Sequence, residues 1–394
     1  MTASDSPAIL CLSHLGWDYV WQRPQHILSR LARHYPVIYV GEPTIASSPE
    51  PRLQLVATEA NLTAWRPLIP DRPEAIGRWR ETYVGLVREL LLDRAWIRRL
   101  DGELVSNRPL ITWFYTPIPF YFLDRLPSQL VVYDVMDELA NFKGAAPDLR
   151  ERELRLLSCA DLVFAGGRSL YEARKELHPS VHLFPSGVDK RHFARAQDPA
   201  TEIPSEISHL PHPILGYYGV IDERIDLVLL EELARKHPEW SLVMLGPVAK
   251  IEVRELPYAP NIHYLGAQPY SRLPGYLKGF DVCLMPFAIN EATRYISPTK
   301  ALEYMAAHKP IVSTPVPDIV ANWGDVVRIA RGVTHFAQAV EQALVETRVQ
   351  RPERIAEEER IVALNGWERI AAEMGALIDA ALTRRTLPSK PAPR

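Results

Sequence analysis

The sequence predicts an α/β protein of two domains, each built on a parallel sheet. Three observations carry this. Short, continuous apolar runs alternate with segments of helical period along most of the chain. The alternation breaks at about 196–213, where Pro, Ser, Glu and Ala replace the apolar pattern, and a second series then begins. The 394 residues also exceed what one hydrophobic core usually serves.

Taken in order, Ala8–Leu12 reads as a buried strand that ends in the loop Ser13–Asp18. Pro24 opens a helix with Ile27, Leu28 and Leu31 on one face, and Val37–Val40 is the next strand, so a βαβ unit starts the chain. Leu53–Val56 is a further strand candidate. Residues 74–100 read as one or two helices carrying six arginines with Trp79 and Trp96. Strands are expected at Leu110–Tyr115, Leu130–Asp134, Leu162–Ala165 and Val181–Phe184, with helices over 148–158 and 169–177. The second series places strands at Ile214–Gly219, Leu242–Gly246, Ile262–Gly266, Val282–Met285, around Ile311 and at Val326–Ile329. Helices fall between them, and the last spans about 367–382. Ligands bind at the C-terminal ends of strands in such sheets, so the cleft between the domains is the expected site.

Hydrophobic content of 47% and charged content of 24% are those of a globular protein, and a net charge of −3 argues against nucleic acid as partner. Cys11, Cys159 and Cys283 show no metal or redox spacing and are expected as buried free thiols in a reducing compartment. The start, Met1–Pro7, does not read as a signal peptide, and no apolar run approaches the ~20 residues of a spanning helix. A cytoplasmic protein is expected. The basic, Trp-bearing stretch 74–100 makes peripheral contact with the inner face of the plasma membrane a candidate, against the plainer reading of a solvated surface.

The chemistry concentrates in Ser297-Pro298-Thr299-Lys300-Ala301-Leu302-Glu303. Ser297 is expected as an N-cap and Pro298 as the first helical residue. Free N–H groups there, with the Lys300 ammonium, form an anion site. Glu303, about one turn on, could accept bonds from two vicinal hydroxyls, as on a ribose. A capped helix with an exposed Glu is the plainer alternative.

Several stretches in this order resemble the retaining family-4 glycosyltransferases. They are Trp21-Gln22-Arg23-Pro24-Gln25, Tyr133-Asp134-Val135-Met136-Asp137-Glu138, Ala160-Asp161-Leu162-Val163 and Pro185-Ser186-Gly187-Val188-Asp189 with Phe193. They continue through Gly216-Tyr217-Tyr218-Gly219 with Arg224 and Asp226, Asn261–Gly266, and the 297–306 stretch. The first two variants are similar to a bacterial subgroup working on cell-surface polysaccharides, including teichuronic-acid-type enzymes.

The resemblance implies the GT-B fold: two facing Rossmann-like domains with parallel sheets and a C-terminal helix crossing back to the first. The expected division is 1–200 for acceptor binding, 201–365 for the nucleotide-sugar donor, 366–385 for the returning helix and 386–394 as a disordered tail. It implies transfer with retention from a nucleotide-sugar donor, UDP- or GDP-linked, to a glycan or polyprenyl-diphosphate-linked acceptor, with no cofactor and no metal. The family signature has two glutamates separated by seven intervening residues. Glu303 matches the second, but Tyr295 stands at the first, where the family meets the donor sugar.

The roles follow. Arg224, Ser297, Pro298, Thr299, Lys300 and Glu303 are the diphosphate and ribose candidates, with an ion pair to Glu223 or Asp226 as the plain alternative for Arg224. Asn290, Arg294 and Tyr295 are the donor-sugar candidates. Asp137, Asp134 and His14 are the catalytic or acceptor-side candidates, although the departing phosphate could itself take the proton. Arg23 is a candidate ligand for an acceptor diphosphate. Tyr217 and Tyr218 read as core. Two rival readings are a nucleotide-sugar epimerase of the same fold and a non-catalytic partner protein. A nicotinamide dehydrogenase is disfavoured, because no G-x-G-x-x-G follows the first strand.

Overall fold

The computed structural model describes residues 6–348 and 352–386. The expected disordered tail, from 387 on, and the residues before Ser6 lie outside the described residues. In chain order the first half comprises β1 Ala8–Leu12, α1 Arg23–Leu31, β2 Val37–Val40, β3 Thr44–Ala46, β4 Arg52–Glu59, β5 Leu62–Pro70, α2 Pro73–Gly77 and α3 Trp79–Asp93. There follow β6 Ile97–Leu100, β7 Glu103–Ser106, β8 Leu110–Phe114, β9 Leu130–Val135, α4 Leu149–Cys159, β10 Leu162–Ala165, α5 Arg168–Glu172 and β11 Val181–Leu183. The second half comprises α6 Lys190–Ala194, α7 Ser205–Ser208, β12 Ile214–Tyr218, α8 Leu227–Lys236, β13 Ser241–Leu245, β14 Ile262–Tyr264, α9 Leu273–Gly279 and β15 Val282–Met285. It closes with α10 Lys300–Ala306, β16 Ile311–Ser313, α11 Pro317–Trp323, β17 Arg328–Ile329, α12 Gly332–Arg348, α13 Pro352–Leu364 and α14 Trp367–Thr386.

The first sheet runs β11-β10-β9-β8-β1-β2-β5-β3, all parallel, with β4 antiparallel to β5. The second runs β14-β13-β12-β15-β16-β17, all parallel. In each sheet the first strand of the series lies inside, with its successor on one side and a later strand on the other. The strand order reverses there, opening a crevice at the strand ends. The central strands are buried along their whole length, which is why they appear in sequence as unbroken apolar runs.

The chain passes between the two cores earlier than its composition suggests. Val188, Phe193 and Ala196 already pack in the second core. The crossing therefore falls near 184–188, ahead of the expected boundary at 200. The Pro-rich stretch after it is tied down, since Lys278 Nζ donates to the carbonyls of Asp198, Pro199 and Thr201. The chain returns beside the same point. Val188 N donates to Asn365 O at 2.9 Å. Then α14 lays Trp367, Ile370, Met374 and Ile378 into the first core. Trp367 stacks on His26 with ring centroids 4.9 Å apart, and Tyr35 Oη donates to Asp379 Oδ1 at 2.7 Å.

Two further expectations change. Helix α3 stops at Asp93, and Ile97–Ser106 forms a hairpin instead of more helix. Ala95 adopts φ 53, which ends the helix, and Trp96 turns into the core. Trp79 packs on Tyr121. Trp96 is thus buried, whereas Trp79 is only partly so. Among the described residues no helix is long and apolar enough to cross one. Cys11 and Cys283 are buried free thiols, whereas Cys159, at the end of α4, is exposed.

Candidate functional site in the cleft between the sheets

The candidate site is assembled from strand ends of both sheets. Strand β12 delivers Tyr218 and then Gly219, whose φ of 144 suits a residue without a side chain. A Cβ at Gly219 would lie 2.3 Å from Lys300 Cε, so the lysine stem crosses bare backbone. Lys300 is the first residue of α10, with Thr299 at the cap. The helix therefore begins three residues later than Ser297. Ser297 caps nothing, and its Oγ is buried without a hydrogen-bond partner. Pro298 is not helical. The expected anion site thus rests on the Lys300 side chain and the loop before it, not on a Ser-capped helix start.

Glu303 sits one turn into α10 and is 8% exposed. Its Oε2 accepts from Tyr218 Oη at 2.8 Å. Tyr218 is thus more than a core residue, because it orients the carboxylate. Burial raises the Glu303 carboxyl above its ordinary range, against the pull of Lys300. Burial likewise lowers Lys300, against the pull of Glu303.

Arg224 follows β12 and is oriented by Asp222, a partner the sequence reading missed. Nε donates to Oδ1 at 2.9 Å and Nη2 to Oδ2 at 2.7 Å. Burial opposes the charge, but Asp222, together with Asp137 and Tyr217, holds the guanidinium above its ordinary pKa. Neither Glu223 nor Asp226 is the partner; Asp226 caps α8 by accepting from Leu229 N. Phe142, from the first domain, lies between two cations, 5.3 Å from Arg224 Cζ and 3.5 Å from Lys250 Nζ.

The first domain contributes Asp137, just past β9. Among the described residues its side chain has no hydrogen-bond partner; burial raises it, and Arg224, Lys250 and Lys300 pull the other way. Asp134 behaves differently. It is fully buried and paired with Arg23, 1% exposed, through Nε at 2.9 Å and Nη2 at 2.8 Å. Arg23 Nη1 also donates to Phe184 O at 2.8 Å. Asp134 and Arg23 therefore tie α1 to the sheet, and Asp134 is committed to that pair; Arg23 also borders the cavity in the cleft. Alternation along β9 explains it: Asp134 points to the α1 side, while Asp137 lies beyond the last strand residue.

Asp137, Arg224, Lys300, Glu303 and the 297–299 loop line one cavity of about 150 Å³, with Gln22, Tyr217 and Gly219. An apolar pocket of about 220 Å³ adjoins it, sharing Tyr218, Gly219, Tyr270 and Leu273 and adding Leu245, Gly246 and Pro247. The paired glycines closing β12 and β13 were its signal in the sequence. His14 lies elsewhere, in a first-domain cavity with Trp17, Glu42, Trp65 and Arg66. Burial pushes it down to about 4, with help from the Lys250 charge, so the imidazole is neutral at neutral pH and is no phosphate cation.

The three donor-sugar candidates do not line the cavity. Asn290 donates to Glu223 O at 3.1 Å and closes a turn with Thr293. That turn carries Arg294 out to solvent, 61% exposed, and sends Tyr295 against the core of the first domain. Among the described residues no three His, Cys, Asp or Glu side chains are grouped to hold a metal ion.

Comparison with known proteins places this geometry in a class. Residues 212–346 match the family model described as Glycosyl transferases group 1. The architecture is the GT-B fold of glycosyltransferases. It is shared with sucrose-phosphate synthase (tll1590) from Thermosynechococcus elongatus, with a TM-score of 0.67, 16% identity, and coverage of 96% of this chain and 100% of that one. A UDP-forming α,α-trehalose-phosphate synthase from Burkholderia xenovorans, in complex with glucose-6-phosphate, matches with a TM-score of 0.69 at 11% identity over 94% and 100%. In sequence, the chain is similar to a protein of Bacillus subtilis (strain 168) provisionally named teichuronic acid biosynthesis glycosyltransferase TuaH. The two are 28% identical over 274 residues, which is 64% of this chain and 66% of that relative's length.

Proposed function

We propose that this protein is a glycosyltransferase that moves a sugar from a nucleoside-diphosphate donor to a glycan or lipid-linked acceptor, with retention, in cell-surface polysaccharide synthesis. One observation carries the reading. A buried carboxylate, two cations and an apolar pocket line up along the C-terminal end of one sheet, while an unpaired carboxylate faces them from the other. In this reading the base enters the pocket at Tyr218, Leu245 and Tyr270. The ribose diol bonds to Glu303, and Lys300 and Arg224 take the diphosphate. Two cations where charge develops on the leaving group favour breaking the anomeric C–O bond. The acceptor approaches from the first-domain side, past His14 and Asp137. Its hydroxyl forms the new bond on the face the diphosphate leaves, and its proton passes to the departing phosphate oxygen. The polysaccharide assignment rests on the similarity to the Bacillus subtilis protein.

The test is release of nucleoside diphosphate from a panel of UDP-, GDP-, ADP- and dTDP-sugars by the purified chain. Slow hydrolysis of one donor, accelerated by an acceptor extract, is expected. A panel in which no donor is consumed, with or without acceptor, refutes the reading.

A further inference from the structure

Asp318 is the second residue of α11, in the second domain, and is 1% exposed. Its Oδ1 accepts from the backbone N–H of Ser169 at 3.1 Å and from the Ser169 hydroxyl. Ser169 belongs to α5 of the first domain, and α5 has no cap of its own because Gly167 stands at that position. One domain therefore supplies the cap that the other lacks. A buried carboxylate normally fills both oxygens, yet Asp318 Oδ2 has no hydrogen-bond partner. Ser297 Oγ is also buried without one. The two groups meet over Gly167. A Cβ built there would lie 2.7 Å from Asp318 Oδ2, 2.8 Å from Ser297 Cβ and 3.5 Å from Ser297 Oγ. Gly167 is thus the bare patch of the first domain onto which both residues close.

Ser297 begins the loop whose next residues, Pro298, Thr299 and Lys300, line the cavity. A hydroxyl without an acceptor and a carboxylate oxygen without a donor, among the described residues, thus face the same glycine. We propose that Asp318 is a positioning residue that couples the 297–300 loop to the docking of the first domain. A diphosphate held at Lys300 fixes the loop, the Ser297 hydroxyl donates to Asp318 Oδ2, and Oδ1 holds Ser169. The acceptor half of the cleft is thereby locked over the donor half. This rests on the donor reading above. Asp318 does not line the cavity, so it acts on nucleotide affinity only through docking, and by linkage the affinity a variant loses matches the docking shift it abolishes.

The experiment uses the full chain and its Asp318→Asn, Ser297→Ala and Ser169→Ala variants. Calorimetry with UDP and GDP reports affinity, small-angle scattering with and without the bound nucleotide reports domain docking, and donor turnover gives kcat and KM. Wild type should contract when nucleotide binds. Asp318→Asn should lose the contraction, raise Kd by about three- to tenfold through that linkage, and lower kcat by about tenfold. Ser297→Ala, whose residue also borders the cavity, should lose part of the contraction and lower kcat more weakly. Contraction and kcat equal to wild type in Asp318→Asn overturn the proposal, as does a loss of nucleotide affinity with the contraction intact. If Asp318→Asn does not fold, Ser169→Ala, which keeps the backbone donor, carries the same expectations at smaller size. If wild type binds neither nucleotide, the donor reading fails, and the latch is then judged on the free proteins. A larger radius of gyration in the variant supports it, and an equal one overturns it.

Discussion

The two halves of the cleft handle charge in opposite ways. On the first-domain side, Arg23 and Asp134 are both buried and spend their hydrogen bonds on each other and on Phe184. On the second-domain side, Arg224 uses Nε and Nη2 on Asp222, and among the described residues Nη1 has no hydrogen-bond partner and Lys300 no ion pair within 4 Å. Glu303 takes one bond from Tyr218. A closed pair joins α1 to its sheet, whereas a half-satisfied set has capacity for a ligand. The difference separates structural from ligand-facing charge better than residue type does.

The contrast is broken most severely at the closed pair. Asp134→Ala leaves the Arg23 charge buried alone, and urea denaturation should show a loss of about 3–5 kcal/mol. The double variant Arg23→Met, Asp134→Leu should recover much of it. A loss below about 1 kcal/mol would place the pair among exposed ones instead.

On the open side, Glu303→Ala removes a charged acceptor, so nucleotide affinity should fall by about tenfold or more, since bonds to charged groups contribute about 1.5–3 kcal/mol. The parent nucleoside should weaken too, because the ribose is what is lost. Arg224→Met should weaken a nucleoside diphosphate toward the level of its monophosphate and leave the nucleoside unchanged. An equal loss for nucleoside and diphosphate would contradict the assignment of Arg224.

His14 sharpens the comparison through pH. Its folded pKa of about 4 lies below the ordinary value of 6.5, so the unfolded chain binds the extra proton first. Its contribution to stability is complete above pH 6.5 and is lost as pH falls toward 4. His14→Gln should flatten the stability profile in that window; an unchanged profile would show that His14 is not held neutral. The smallest effect is expected at Arg294, which is exposed and off the cavity. Arg294→Ala should change stability by no more than about 0.5 kcal/mol and leave nucleotide binding intact. A tenfold loss there would move the donor-sugar site back to the 290–295 turn.

Much of the fold was legible because parallel strands buried on both faces leave unbroken apolar runs, as in Ala8–Leu12 and Val282–Met285. The end of α3 was not, because Ala95 takes a positive φ that its residue type does not advertise. The domain crossing was hidden because a Pro-rich composition looked like a linker, while Lys278 pins that stretch to the second domain. Lys300 and Glu303 could be found from their spacing on a helix. Asp134 and Asp137 looked alike, since the difference lies in which face of β9 meets Arg23, 111 residues earlier. Tyr218, Asp222, Phe142 and Asp318 were missed for the same reason: each acts through a contact made only once the chain is folded.

The central claim is that the second domain holds a nucleoside diphosphate across Glu303, Lys300 and Arg224. Calorimetric titration of the wild-type chain with UDP and GDP, each against its monophosphate and nucleoside, tests it most directly. At least one series should bind in the order diphosphate, monophosphate, nucleoside. Failure of both diphosphates to bind, or equal affinity along each series, would contradict the claim.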